Sequence, residues 1–405
     1  MNIVHIYDGH EKVHGGRGSV PGVVWNIARE TAAAGHDVTV IERQWTGLAA
    51  SSEHDGVRFK RLNLRTGANE PWRRVPHEMV KRPRGVAELL LDRTNFARAA
   101  FSMLRSMSFD TVHVHLPFAA NVLATISPSI SNRMVYTAHL GETNGRVVEP
   151  RFSPDAYLAS RAARTIVLNP TMRDAFINRG VQADRLRVIP NGVDITQFRG
   201  DNADARRALR SRYGLDDVQV VLFVGSVTPR KGVHELVRAV SQVVSEGQDD
   251  TLLIVTGRTD LEPGYVINVE REVADVDLED HVLFTGFVPD ADLHGLYELA
   301  DVFALPSYEE GSSIAVAEAI ASETPVVGTD IDGIAGQIEH GVHGLLSEPG
   351  DVDALATDLS CLLEDGSERE RMRSAVRERA QELSWSRITD EITAVYQEVS
   401  TPSET

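Results

Sequence analysis

Two carboxylates eight positions apart, Glu310 and Glu318, bracket the stretch of this chain best equipped for chemistry. Glu310 stands in the polar loop Pro306-Ser-Tyr-Glu-Glu-Gly311, which follows the short apolar run Val302–Leu305. Glu318 is the only charge in Ile314-Ala-Val-Ala-Glu-Ala-Ile-Ala321. That segment is apolar on every side, which is the pattern of a buried helix. A carboxylate on it needs a hydrogen-bonded or charged partner, and the plainest is an arginine from a neighbouring element. A second reading uses the loop. Ser312 or Ser313 suits the helix N-cap, and no Glu or Gln three residues later closes a capping box. Free N–H groups and the positive end of the helix dipole at such a terminus attract an anion. A phosphate held between two hydroxyl-binding carboxylates suits a sugar nucleotide.

A cationic pair comes earlier, in Gly225-Ser226-Val-Thr-Pro-Arg230-Lys231-Gly232, after the apolar run Gln219–Val224. An arginine and a lysine ahead of a helix N-terminus can neutralise a departing diphosphate. The plain alternative is an ordinary surface pair, yet Lys231 is one of only four lysines beside 37 arginines. His113 and His115 share one face of the strand read over Asp110–Pro117, and His139 closes the strand read over Val135–Gly141. Histidines without a carboxylate pattern make a poor metal set, so no metal is expected and His113 is read as a satisfied structural residue. The single cysteine, Cys361, excludes an internal disulfide and a cysteine-rich metal site.

These groups must be positioned by strands and helices, and the patterning is that of doubly wound α/β units. Met1–Tyr7 reads as a strand, about Pro21 to Ala34 as a helix ended by Gly35, and His36–Ile41 as the next strand. Between the first two lies Gly16-Arg-Gly18-Ser-Val-Pro-Gly22, which with Glu42 invites a dinucleotide reading. The spacing GxGxxxG and the eight residues between Tyr7 and Gly16 weigh against it, because the fingerprint needs a tight turn. Asn169-Pro170 opens a helix after the strand Thr165–Leu168, and Asn191-Gly192 marks a turn. The later strands are read over Gln219–Val224, Thr251–Thr256, His281–Thr285, Val302–Leu305 and Pro325–Thr329. Gly225, Gly257, Gly286 and the Glu310 loop all fall at carboxyl ends, where open parallel sheets bind ligands. The segment from Trp385 to Tyr396 reads as an amphipathic helix, and the tail from about Ser400 as disordered.

The 405 residues, 42% hydrophobic, suffice for two cores. No apolar run reaches the roughly 18–20 residues of a membrane span, and the first residues read as a strand rather than a signal peptide, so a cytoplasmic chain is expected. The net charge of −18 argues against a nucleic-acid partner. Its acidity and scarcity of lysine resemble proteins of salt-loving archaea, although a GC-rich genome also favours arginine. The one local basic cluster, Pro71–Arg84 with Trp72, reads first as a solvated loop and second as a docking patch for a phosphorylated or lipid-linked acceptor.

The series Pro306-Ser307-…-Glu310-Gly311-…-Glu318-Ala319-…-Pro325-Val326-Val327 resembles the EX7E region of retaining glycosyltransferases of family 4. That family has the GT-B fold, two Rossmann-like doubly wound α/β domains facing a central cleft. The resemblance implies that Glu310 lies by the donor sugar and that Glu318 binds the nucleotide ribose. It places Lys231 at the family's Lys-Gly and His139 at its Thr-x-His, so the implied catalytic residues are His139, Lys231 and Glu310. The implied donor-binding set is Gly16, Gly18, Ser226, Arg230, Lys231, Gly257, Phe287, Val288, Gly311, Ser312, Ser313, Ile314 and Glu318. Gly286-Phe-Val-Pro-Asp290 matches the family's nucleotide-base wall, Gly35-His-Asp-Val38 the end of its first helix, and Asp332-Gly-Ile334 and Gly344-Leu-Leu346 its later segments. Three departures stand out. Gly311-Ser312-Ser313 replaces the usual Gly-Phe-Gly, Ser226 stands where arginine is usual, and the acidic residue near 336 is absent. Arg230 is the candidate substitute for the missing arginine.

The implied organisation is an acceptor domain over 1–195 and a nucleotide-sugar domain over 196–384. A helix at 385–399 would cross back onto the first, followed by a tail at 400–405. The implied activity is metal-independent transfer of a hexose from a nucleotide sugar to a glycan, lipid-linked or small-molecule acceptor, with retention. Peripheral membrane contact belongs to the lipid-linked acceptors only, and the oligomeric state is left open. An epimerase on the same fold would act on donor alone. A non-catalytic module would bind donor and release no nucleotide with any acceptor.

Overall fold

The computed structural model describes residues 1–16, 18–64, 79, 82–198, 203–215 and 218–400. Most of the basic cluster at 71–84 and residues 401–405 of the expected tail lie outside the described residues, while Ser400 is the last residue of a helix. The chain divides into two compact units, Met1–Pro190 with Ile388–Thr405, and Asn191–Arg387.

The first unit contributes β1 (Asn2–Ile6), β2 (Asp37–Arg43), β3 (Ser51–His54), β4 (Val57–Leu62), β5 (Thr111–Val114), β6 (Met134–Thr137), β7 (Arg164–Val167) and β8 (Leu186–Val188). They form one sheet in the order β3-β4-β2-β1-β5-β6-β7-β8. All neighbouring pairs are parallel except β3–β4. Beyond the exposed Asp37 that opens β2, the inner strands β2, β5 and β6 are short runs rich in β-branched residues and buried, as strands covered on both faces must be. Its helices include α1 (Ser19–Ala33) and α2 (Pro83–Leu104), and Asp92 of α2 takes a bidentate buried bond from Arg43 at 2.8 and 2.6 Å. Those of the second unit include α3 (Val233–Ser245), α4 (Asp290–Leu299) and α5 (Ile314–Ala321), and the last helix of the chain is α6 (Trp385–Ser400).

The second unit is an all-parallel sheet of β9 (Gln219–Val224), β10 (Thr251–Thr256), β11 (Val282–Gly286), β12 (Val302–Leu305), β13 (Val326–Thr329) and β14 (Gly344–Ser347), in the order β11-β10-β9-β12-β13-β14. In each sheet the strand at the switch point pairs with the next strand of the chain on one side and with a later one on the other. β1 lies between β2 and β5, and β9 lies between β10 and β12. The chain changes winding direction at these strands, so a crevice opens beyond their carboxyl ends.

The strands β3, β4, β8 and β14 were not anticipated. Most expected strand ends lie within one or two residues of those observed, but the strands read over Asp110–Pro117 and Val135–Gly141 end three and four residues earlier, at Val114 and Thr137. A signal for β3–β4 existed. Asp55-Gly56 is a two-residue turn with φ of +46° and +77°, the mirror-image turn that Asp-Gly favours. The dinucleotide reading of the first loop is overturned. Glu42 is fully buried, where its carboxylate takes the Arg61 guanidinium at 2.8 Å, the Val13 N–H at 2.9 Å and the Trp45 indole at 3.3 Å. It has no face left for a ribose.

Candidate functional site

In the second unit the loops after β9 and β12 meet at the switch point. Lys231, in the turn between β9 and α3, places its ammonium 2.5 Å from Glu310 Oε1. Ser307 donates to the same oxygen at 2.8 Å, and the Arg230 guanidinium lies 3.3 Å from it while also reaching the Glu309 carbonyl. Burial pushes the Glu310 carboxyl up, but Lys231 first and Arg230 next outweigh it and hold the group below its ordinary range. The result is one carboxylate under two cations, a net positive patch. Arg230, the sixth residue after β9, is the cation that joins Lys231 there, while Ser226 sits partly buried at the start of the loop.

Glycines allow these loops to close on one another. Gly232 has φ of +69°, and a Cβ on it would lie 2.1 Å from the Pro306 carbonyl oxygen. Gly333 lies equally close beneath the Glu310 carbonyl, and Gly257, with φ of +141°, beneath the Gly225 carbonyl. Gly232→Ala therefore combines a left-handed backbone with a collision against main chain. It is expected to cost about 3 kcal/mol or more, read as a fall in the denaturant midpoint at unchanged slope. A loss below about 1 kcal/mol would show that the two loops can separate freely.

The Ser312–Ser313 pair divides its work. Ser313 is the N-cap of α5 and accepts from Val316 N–H at 3.3 Å. Ser312 Oγ instead accepts from Asn191 N–H at 3.0 Å and from the Gln337 amide at 2.8 Å. The sequence marks Asn191 only as a turn residue and Gln337 not at all, because their roles appear only when distant segments meet. Ile314 opens the helix, and Gly311 is buried just before it. Glu318 has no arginine partner among the described residues. Its carboxylate accepts from Tyr297 of α4 at 2.9 Å. Burial against the apolar helix pushes it up to about 7. After β11, Phe287 stands exposed and Val288 buried, an aromatic face beside a fixed apolar one.

In the first unit, Gly18 is the N-cap of α1, and its N–H donates to Glu11 Oε2 at 2.8 Å. Its amide is thus directed at a side chain of the same loop. Gly16 packs on the Lys12 carbonyl, where a Cβ would come within 2.1 Å. His139 follows β6 and bonds through Nε2 to His115 Nδ1 at 3.0 Å. His113 is satisfied on both ring nitrogens, by Tyr396 at 2.6 Å and Thr137 at 2.7 Å. The close histidine cluster of this unit is His5, His113 and His115, with His139 at its edge.

Residues 20–197 match the family model described as Glycosyltransferase Family 4, and residues 205–379 match that of Glycosyl transferases group 1. The structure of sucrose-phosphate synthase from Thermosynechococcus elongatus superposes with a TM-score of 0.78 at 22% identity, covering 98% of this chain and 99% of that one. The chain is a GT-B glycosyltransferase. This glycosyltransferase is 29% identical over 403 residues to the D-inositol 3-phosphate glycosyltransferase of Acidothermus cellulolyticus, covering 95% of this chain and 86% of the relative. It is also 29% identical over 342 residues to the GDP-mannose-dependent alpha-(1-6)-phosphatidylinositol monomannoside mannosyltransferase of Mycolicibacterium smegmatis, covering 82% of each. Among the described residues of the glycosyltransferase, no helix is long and apolar enough to cross a membrane.

Proposed function

We propose that the enzyme moves a hexose from a nucleotide sugar to an acceptor hydroxyl with retention of anomeric configuration, and that the second unit holds the donor. The observation that carries this reading is the Lys231–Glu310 contact, with Arg230 beside it, at the β9/β12 switch point. Glycosyl transfer leaves a nucleoside diphosphate, whose developing charge needs fixed positive groups already in place. Lys231, Arg230 and the N-terminus of α5 supply them without a metal ion. Glu310 orients Lys231 and accepts from sugar hydroxyls, Glu318 accepts from the ribose, and Phe287 with Val288 forms a wall for the base. Relatives with GDP-mannose and inositol phosphates in their names support a nucleotide-sugar donor and make phosphorylated polyols the first acceptors to try.

Thermal stabilisation by a panel of nucleotide sugars tests the donor site. A ligand that binds only the folded state adds about 2.7 kcal/mol at 100 times its Kd. One nucleotide sugar is expected to stabilise the wild type and not Glu318→Ala. Equal stabilisation of both would remove the ribose from Glu318, and no shift with any donor would overturn the donor site. With the donor named, the anomeric proton coupling of the product reads retention directly.

A further inference from the structure

Three imidazoles of the first unit are joined end to end. His5 Nδ1 lies 3.0 Å from His115 Nε2, and His115 Nδ1 lies 3.0 Å from His139 Nε2. The rings are nearly parallel, at 9° and 19°. Both outer nitrogens, His5 Nε2 and His139 Nδ1, are buried without a partner among the described residues. Such orphaned groups call for a physical account.

Burial pushes His5 down to about 3 and His139 to about 4, and holds His115 well below its ordinary value, so each ring is neutral near pH 7. A neutral imidazole has one N–H and one lone pair. Two inter-ring hydrogen bonds therefore leave only two arrangements for the row. In one, every ring carries its proton on Nδ1, His5 donates to His115, His115 donates to His139, and His139 presents a free Nδ1–H. In the other every proton sits on Nε2, and the free N–H belongs to His5. An orphaned N–H costs more than an orphaned lone pair, and costs most where nothing can reach it. Both end nitrogens are themselves buried, but His5 is 0% exposed and lies within β1, whereas His139 follows β6 and is partly exposed as a residue. Only at His139, then, can a ligand oxygen reach the nitrogen by a small shift of the ring. The first arrangement is the cheaper.

The geometry points to His115, backed by His5, as a positioning residue that holds His139 with its proton on Nδ1, as a hydrogen-bond donor to a substrate oxygen. The benefit to transfer rests on the reading that His139 takes part in sugar binding. The tautomer does not. The same histidines are not arranged as a metal centre. His5, His113 and His115 bring ligand atoms within 4.8 Å, but every ring nitrogen among them except His5 Nε2 is already in a hydrogen bond.

The test uses the full chain with 15N-labelled histidine, where long-range proton–nitrogen spectra report which ring nitrogen carries hydrogen. His5→Phe and His139→Phe assign the signals. His5, His115 and His139 are expected as Nδ1–H in the wild type. His115→Asn, whose amide reaches where Nδ1 stood, is expected to keep His139 in that form, and His115→Phe to release it to a mixture. A role in packing alone would rank these variants the other way. His139 found as Nε2–H in the wild type, or unmoved in His115→Phe, would overturn the proposal. So would one equivalent of Zn2+ binding through the cluster. In donor turnover, His115→Phe is expected to lower kcat/KM roughly threefold to tenfold, the loss of one hydrogen bond, with His115→Asn near wild type. Expected tautomers with unchanged kinetics would uphold the positioning and remove His139 from the transfer reaction.

Discussion

Replacing Lys231 with alanine is expected to lower turnover at saturating donor by about 100-fold or more, the scale seen when one preorganised charge is removed from a developing anion. The side chain is only 12% exposed and that of Glu310 only 7%, so water screens their interaction little. The ammonium is also fixed before the reaction, by Glu310 at 2.5 Å and by the left-handed turn at Gly232. Its deletion has a second consequence. Lys231 is the largest of the influences holding Glu310 below its ordinary range against burial. A depressed carboxyl stabilises the fold above its unfolded value, and that stability is lost as pH falls through the folded value. Without Lys231 the loss sets in at higher pH. Lys231→Arg keeps the charge on a larger planar head that cannot occupy the same short contact, so it should recover only part of the rate. Nucleotide release under saturating donor measures both variants. A Lys231→Ala enzyme turning over like the wild type would remove the lysine from the mechanism.

Glu318→Gln is expected to do two opposite things. Burial raises the carboxyl to about 7, and Tyr297 only partly offsets this. The folded state therefore holds a proton that the unfolded chain releases above its ordinary value of 4.5. Stability contributed by this group is present below that ordinary value and declines as pH rises through about 7. The full penalty above that range is roughly 3 kcal/mol, lessened by the partial exposure of the residue. Gln keeps the shape and can accept from Tyr297 without a charge. The variant should then be more stable than wild type by about 1–3 kcal/mol at pH 8 and nearly equal at pH 5. Donor affinity should fall by roughly 10- to 100-fold, because ribose hydroxyls would meet a neutral amide in place of a carboxylate. Denaturant unfolding at the two pH values and donor titration read the two effects separately. A variant less stable than wild type at pH 8 would mean that the buried charge is well compensated. Unchanged donor affinity would place the ribose elsewhere.

Much of this arrangement was legible in the sequence, for a local reason. Whether a short run becomes a strand or a helix depends mainly on residues within a few positions, so the apolar runs at 219–224, 251–256 and 302–305 and the helix Ile314–Ala321 fall where they were expected. Polar residues just after such runs necessarily lie at carboxyl ends of the sheet. That is how Gly225, Arg230, Lys231, Gly257 and the Glu310 loop could be picked out together. The hairpin at Asp55-Gly56 was equally local, and was there to be read.

Tertiary structure decided the partners. The plainer of the two readings of Glu318 gave it an arginine partner, and it takes Tyr297 instead, because α4 lies beside α5 in a packing that neither segment encodes alone. Lys231 meets Glu310 across 79 positions because β9 and β12 are neighbours, a consequence of strand order. Ser312 holds Asn191 across 121 positions, a contact no spacing foretells. The histidine row is the fullest case. His5, His115 and His139 carry no motif together, and they meet because β1, β5 and β6 are adjacent parallel strands in one fixed register. Residue type and spacing thus determined which groups stand at the ends of strands. Strand order and register determined which of them touch, since those depend on contacts across the whole sheet and leave no trace in any one segment.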